Sequence, residues 1–228
     1  MRRTQAILTA AALAAALPVA AQQAPMPWYV GVAGGQSRTS DDMVSNFEST
    51  IVNAQPTSSS FDSNQGAWKI FGGWRANELF SVEAYWADLG RTHMTVNTLS
   101  IDQLPGTFDM TRKVDGFGVD GLVHGHFLPG FSVFARAGAF ASRTRADANL
   151  SGGLIFINDP TARSRSNTVN ETVFHYGVGG QWDFQPNMAL RFEWERFDKV
   201  GKAFQTGVSG TTGEADTDLV SLGILVRF

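Results

Sequence analysis

From Trp28 to Phe228 the chain repeats one pattern, in which segments of roughly ten residues alternate apolar with polar or small side chains. Alternation at period two marks a strand with one apolar face. The first segment, Trp28 to Ser37, sets Trp28, Val30 and Val32 against Gly31, Ala33 and Gly35. The second, Ala67 to Arg75, sets Trp68, Ile70 and Trp74 against Lys69, Phe71 and Arg75, and the third, Leu79 to Leu89, sets Phe80, Val82, Ala84 and Trp86 against Ser81, Glu83 and Tyr85. In the fourth, Val114 to Leu128, Phe117, Val119, Val123 and Phe127 oppose Asp120, His124 and His126. In the fifth, Phe131 to Thr144, Phe131, Val133, Ala135 and Ala137 oppose Ser132, Phe134, Arg136 and Ser142. The sixth, Thr172 to Phe184, places Phe174, Tyr176, Val178 and Trp182 opposite His175, Gly177, Gly179, Gln181 and Asp183. The seventh, Met188 to Phe197, places Leu190, Phe192 and Trp194 opposite Arg191, Glu193 and Glu195. The eighth, Leu219 to Phe228, places Val220, Leu222, Ile224, Val226 and Phe228 opposite Ser221, Gly223 and Arg227.

Three connectors are tight and rich in turn formers: Ala76-Asn77, Pro129-Gly130 and Gln185-Pro186-Asn187. The other four, about Arg38 to Gly66, Gly90 to Lys113, Arg145 to Glu171 and Asp198 to Thr217, are long and polar, and they alternate with the short ones. Short periplasmic turns and long outer loops are the habit of outer-membrane barrels. The pattern therefore predicts an all-β fold, an eight-stranded antiparallel transmembrane up-and-down β-barrel with both termini on the periplasmic side. Aromatic residues gather where the bilayer interfaces should lie. Trp28, Trp74, Phe80, Phe127, Phe131, Trp182, Phe184 and Phe228 mark the periplasmic side, and Trp68, Trp86, Phe117, Phe174 and Trp194 the outer side. The competing arrangement, a soluble sandwich or lipocalin-type barrel, turns its apolar face inward. Here one face is crowded with Trp and Phe while the other carries Gly, Ser and charge, which favours the inside-out barrel.

The N-terminus reads as a secretory signal peptide: Met1-Arg2-Arg3, an apolar run from Ala6 to Leu17, then Val19-Ala20-Ala21. The run is shorter than the ~20 residues a spanning helix needs, so residues 1–21 are expected to be a signal peptide and residues 22–228 the barrel domain. The mean hydropathy of -0.10 looks like that of a soluble protein, but in a barrel only every second residue meets lipid. The chain carries 18 Lys+Arg against 21 Asp+Glu, which gives no reason to expect nucleic acid as a partner. It has no cysteine, so neither disulfides nor thiolate metal sites enter.

The last strand, Asp218-Leu219-Val220-Ser221-Leu222-Gly223-Ile224-Leu225-Val226-Arg227-Phe228, resembles that of the outer-membrane protein A transmembrane domain and its small eight-stranded relatives. Phe71-Gly72-Gly73-Trp74, Glu83-Ala84-Tyr85-Trp86-Ala87-Asp88-Leu89-Gly90 and Ala189-Leu190-Arg191-Phe192-Glu193-Trp194 fit as well, and Arg136 in Val133-Phe134-Ala135-Arg136-Ala137-Gly138 matches an inward arginine of that family. The resemblance implies a bacterial outer-membrane location and a monomer among lipid and lipopolysaccharide. It also implies that Phe228 ends a signal read by the barrel-assembly machinery. In the family, inward Glu and Arg or Lys pair as a plug; the matching positions are Glu83, Arg136, Gln181 and Arg191, so one expected carboxylate is an amide. Larger members continue into a peptidoglycan-binding domain, and with the sequence ending at Phe228 no cell-wall tether is inferred.

The interior set Lys69, Glu83, Asp120, Arg136, Arg191, Glu193 and Glu195 reads as an ion-pair lattice or as a conduction path. Charges in a dry, narrow barrel are costly unless paired, which favours a structural plug. His124 and His126 share a face, yet two histidines without a third ligand make a weak metal signal. Lipid A deacylases and acyltransferases also use eight-stranded barrels and need a His with a Ser and an acid. His175 is followed by Tyr176-Gly177 rather than by a serine. The expectation is a structural or surface-interaction barrel with no catalytic residues, metal or cofactor, with a narrow channel as the alternative and a lipid-modifying enzyme behind it. The loops, such as Gln55-Pro56-Thr57-Ser58-Ser59-Ser60, read as mobile solvated surface. Arg143, Arg145, Arg163 and Arg165 are candidates for lipopolysaccharide phosphates.

Overall fold

A computed structural model of the protein describes residues 27–40, 54–100, 104–154, 161–201, 204–205, 211–212 and 215–228. The expected signal peptide, residues 1–21, lies outside the described residues. Its strands are β1 (Trp28–Thr39), β2 (Ala54–Asp62), β3 (Asn64–Arg75), β4 (Phe80–Ser100), β5 (Pro105–Leu128), β6 (Phe131–Gly152), β7 (Ser164–Gln185), β8 (Met188–Val200), the short β9 (Phe204–Gln205) and β10 (Thr211–Thr212), and β11 (Ala215–Arg227). Every pairing is antiparallel; β1 pairs with β3 and β8 with β11, β1 pairs with β11 to close the ring, and β9 and β10 pair only with each other. Strands β2 and β3 occupy one position, since β4 pairs with β3 over Ser81–Asp88 and with β2 over His93–Ser100. The result is a closed eight-stranded barrel without a free edge in its wall, the arrangement that satisfies backbone groups in lipid.

Outside and inside follow the alternation. Trp28, Trp68, Trp74, Phe80, Phe117, Phe127, Phe131, Phe174, Trp182, Phe184 and Phe228 are exposed on the outer surface, while Trp86 and Trp194 are half-buried by neighbouring rings. Trp28 stands opposite Trp74 with ring centroids 6.4 Å apart, and Trp68 packs on Trp86 at 4.8 Å. These pairs put aromatic girdles at both ends of the apolar band. The tight turns fall at Ala76–Leu79, Pro129–Gly130 and Pro186–Asn187. In the first, Asn77 Oδ1 accepts from the backbone N–H of Leu79 and of Phe80, both at 2.8 Å, so the third strand begins one residue later than expected.

The four outer connectors correct the sequence reading. Much of Gly90–Lys113 and Arg145–Glu171 is strand, not loop, because β4, β5, β6 and β7 run well past the outer aromatic girdle; β2 and the start of β3 lie within Arg38–Gly66, and the end of β8, the short β9 and β10 and the start of β11 lie within Asp198–Thr217. A bulge at Asp88–Arg91, with Gly90 at φ 90°, lets β4 change direction and continue. Beyond it the faces reverse in character. The inward positions Met94, Val96, Phe108, Met110, Ala146, Ala148 and Ala215 form a second apolar core against Phe61, Leu150 and Leu154, whereas the outward positions carry Thr95, Asn97, Thr107 and Asp109, hydrogen-bonded across strands. In lipid the barrel is apolar outside; above the lipid it is apolar inside, as a soluble barrel would be. Arg112 lies between the two cores and donates from Nη2 to the Val200 carbonyl at 2.5 Å. Burial pushes its pKa down to about 10, partly offset by the nearby Glu171 carboxylate, so it stays charged at neutral pH.

Candidate functional site: the barrel interior

All eight polar residues singled out from the sequence, Lys69, Glu83, Asp120, Arg136, Gln181, Arg191, Glu193 and Glu195, lie inside the barrel and are at most 3% exposed. They come from β3, β4, β5, β6, β7 and β8, and the period-two alternation of each strand turns them inward. Arg136 is the hub. Its guanidinium lies 2.6 Å from Asp120, 2.9 Å from Glu83, 2.9 Å from Glu193 and 3.7 Å from Glu195. Lys69 Nζ donates to Glu193 and to Glu195, and Arg191 meets Glu83 at 2.6 Å while donating to the Gln181 carbonyl at 3.2 and 3.4 Å. The amide that replaces an expected carboxylate thus still serves as an acceptor.

Three further residues complete the cluster. Tyr29 donates to Glu83 at 3.1 Å, and Tyr85 lies 3.0 Å from His175 Nδ1. His175 has Nδ1 3.0 Å from Asp120 and Nε2 3.1 Å from Glu195. Carboxylates only accept, so a ring flanked by one at each nitrogen is placed to donate from both, as an imidazolium does. With that proton, Lys69, Arg136, Arg191 and His175 balance Glu83, Asp120, Glu193 and Glu195. Tyr85 was legible as an inward residue and Tyr29 was not singled out; the partners of both were hidden, because the stagger of a barrel brings together strands distant in sequence.

The rings fit because glycine stands opposite them. A Cβ on Gly118 would come within 2.1 Å of the Tyr85 ring, and one on Gly73 within 2.2 Å of the Tyr29 ring. Above the charged layer, Phe140, Phe197, Leu89, Val114 and Leu219 are buried in the same apolar cluster. Phe197 stacks on His175 with centroids 4.3 Å apart, and Phe140 meets Phe197 at 4.9 Å.

The remaining histidines scatter. His93 is exposed on the outward face of β4, and His126, although on the face of His124, is exposed at the periplasmic end. Among the described residues no three His, Asp or Glu side chains form a group that could hold a metal ion. His124 Nε2 lies 2.8 Å from Ser81 Oγ, both buried, a pairing that sequence reasoning missed. The adjoining cavity at the periplasmic mouth measures about 10 Å³, room for one water and none for an acyl chain. The four candidate arginines separate. Arg143 and Arg145 point outward from β6, Arg145 meeting Asp115 at 3.3 Å. Arg163 donates to the Gly152 and Leu154 carbonyls, and Arg165 stands on the opposite face of the sheet from Arg143.

The model of the OmpA-like transmembrane domain matches residues 23–228. The chain belongs to that family. It is therefore a bacterial outer-membrane β-barrel, and the closed eight-stranded ring is the family's fold. No curated protein matches the chain. Among solved structures this OmpA-like barrel is similar to Ail, the attachment invasion locus protein of Yersinia pestis, in complex with the heparin analogue sucrose octasulfate. The two are 14% identical over 89% of this chain and 99% of that one, with a TM-score of 0.41. It is also similar to the N-terminal β-barrel domain of Pseudomonas aeruginosa OprF, 11% identical over 88% and 97% of the two chains with a TM-score of 0.42. The outer membrane protease OmpT of Escherichia coli is 11% identical over 92% and 99%, with a TM-score of 0.44. None of these scores reaches 0.5, and the family assignment rests on the family model.

Proposed function

We propose that this OmpA-like barrel is a sealed, non-catalytic monomer whose role is structural and at the cell surface. The observation that carries this reading is the interior lattice, in which Arg136 alone meets four carboxylates and the charged residues are 3% exposed or less. Paired charges of this kind resist opening, because exposing one leaves its partner buried and uncompensated. The one-water cavity beside Ser81 and His124 supports a non-catalytic role for that pair. A liposome-swelling assay tests the reading. Vesicles carrying the protein should swell in small neutral solutes no faster than empty ones, and swelling that scales with protein content would reverse the proposal.

The outer rim is the surface that faces lipopolysaccharide. Asp88, Asp115 and Arg143 stand in one cross-strand row, and Arg91, Lys113 and Arg145 in the next. Both rows lie just beyond the Trp86–Phe117 pair on the outer side, where an aromatic girdle would put outer-leaflet phosphates within their reach. Arg91 and Arg143 are exposed there, and guanidinium suits phosphate. Insertion by the barrel-assembly machinery fits the last strand, where Phe228 faces outward and its N–H donates to the Trp28 carbonyl at 2.9 Å.

A further inference from the structure

The periplasmic mouth carries a cation that the interior lattice does not neutralise. The cavity of about 10 Å³ there is lined by Arg75, Arg191, Arg227, His124, Gln181 and Tyr29, with no carboxylate in its lining. Two of the guanidiniums have their counter-ions behind them: Arg191 meets Glu83 at 2.6 Å, and Arg227 meets Asp183 at 2.6 Å. Among the described residues the Arg75 side chain makes no hydrogen bond or ion pair within contact distance; the carboxylate that acts on it electrostatically, Asp183, is already in contact with Arg227, so Arg75 and Arg227 share one carboxylate and one positive charge is in excess.

A second observation points into the same space. His124 is 2% exposed, and while its Nε2 faces Ser81, its buried Nδ1 has no hydrogen-bond partner. If the Ser81 hydroxyl donates to Nε2, Nδ1 carries the ring proton and becomes a donor aimed at the cavity. A buried donor without an acceptor is costly, and the cavity is the place from which an acceptor can reach it. Three guanidiniums and an N–H around a space for one small sphere form an anion site.

We infer that this cavity binds a single small monovalent anion, chloride, which neutralises Arg75 and accepts from His124 Nδ1 at the periplasmic mouth. Water alone would satisfy the N–H but leave the charge. The inference stands apart from the sealed-barrel reading, since an anion could sit here whether or not the lattice above it conducts.

Bromide is the probe. Crystals of the full barrel grown in bromide should show one anomalous peak between Arg75, Arg227 and His124, and crystals of Arg75→Gln should lack it. Ordered water without anomalous signal, or a peak that persists in Arg75→Gln, would overturn the inference. In detergent at constant ionic strength, replacing gluconate by chloride should raise the wild-type melting temperature along a saturable curve. The half-saturating concentration should rise at least about tenfold in Arg75→Gln, the equivalent of losing one charge-assisted contact, while Arg163→Gln, far from the mouth, should keep the wild-type curve. A wild-type protein indifferent to the exchange would contradict the site without reference to any variant.

Discussion

Replacing Arg136 with methionine removes the hub of the interior lattice while keeping an unbranched side chain in its place. Four carboxylates lie within 4 Å of the guanidinium, at 2.6, 2.9, 2.9 and 3.7 Å. After the change Lys69, Arg191 and His175 face Glu83, Asp120, Glu193 and Glu195, three cations against four carboxylates. Breaking a buried pair by removing one partner costs about 3 to 5 kcal/mol, which corresponds to roughly two to four decades in the folding equilibrium constant. The assay is reversible urea unfolding in lipid vesicles, read by the fluorescence of the 6 tryptophans. The informative companion is Arg136→Met with Asp120→Asn, which restores the count to three against three. Mutual neutralisation predicts that the double variant is more stable than Arg136→Met alone. A loss below about 1 kcal/mol in Arg136→Met, the range of a surface pair, or a double variant weaker than the single one, would show that the lattice is not held by charge balance.

Three further outcomes follow from the same structure. Gly118→Ala sets a methyl group against the Tyr85 ring and should destabilise the barrel by about 1 to 3 kcal/mol in the same titration, as overpacking does. Tyr85→Ala in that background should relieve the added strain, so the two changes should fall short of additive. Changing Arg143 and Arg145 together to glutamine should lower the lipopolysaccharide that copurifies with the protein, measured by phosphate and fatty-acid analysis, and leave the yield of folded barrel unchanged. Phe228→Ala should reduce the heat-modifiable folded fraction recovered from outer membranes, while the purified variant should still fold in vitro once unfolded protein is diluted into detergent.

The membrane-spanning part of the fold was legible because lipid imposes one rule on every strand. Outward positions must be apolar, so Trp28, Val30 and Val32, or Leu222, Ile224 and Phe228, declare their face without tertiary knowledge. The inward set then follows by alternation, and Lys69, Glu83, Asp120, Arg136, Gln181, Arg191, Glu193 and Glu195 are buried. Their partners were not legible. Lys69 meets Glu193 and Glu195 from the far side of the barrel, and no local pattern encodes that stagger. The reach of β4 to β7 beyond the membrane was hidden for a related reason. Met94, Val96, Phe108 and Met110 alternate at period two, but their outward neighbours are Thr, Asn and Asp, which read as loop when an apolar outer face is taken as the mark of a strand. Ser81 and His124 also lie in different strands, joined across the β4–β5 pair, and a pairing of Phe80 with Val123 would have suggested their proximity.

Whether the interior lattice closes the barrel is decided by electrical recording of the purified protein in a planar lipid bilayer. Wild-type protein should insert without producing discrete conductance steps, and steps should emerge only when the lattice is broken, as in Arg136→Met. Stable discrete steps from the wild type, altered in size by changing Glu83 or Arg136, would contradict the sealed barrel and make the same residues the lining of a channel.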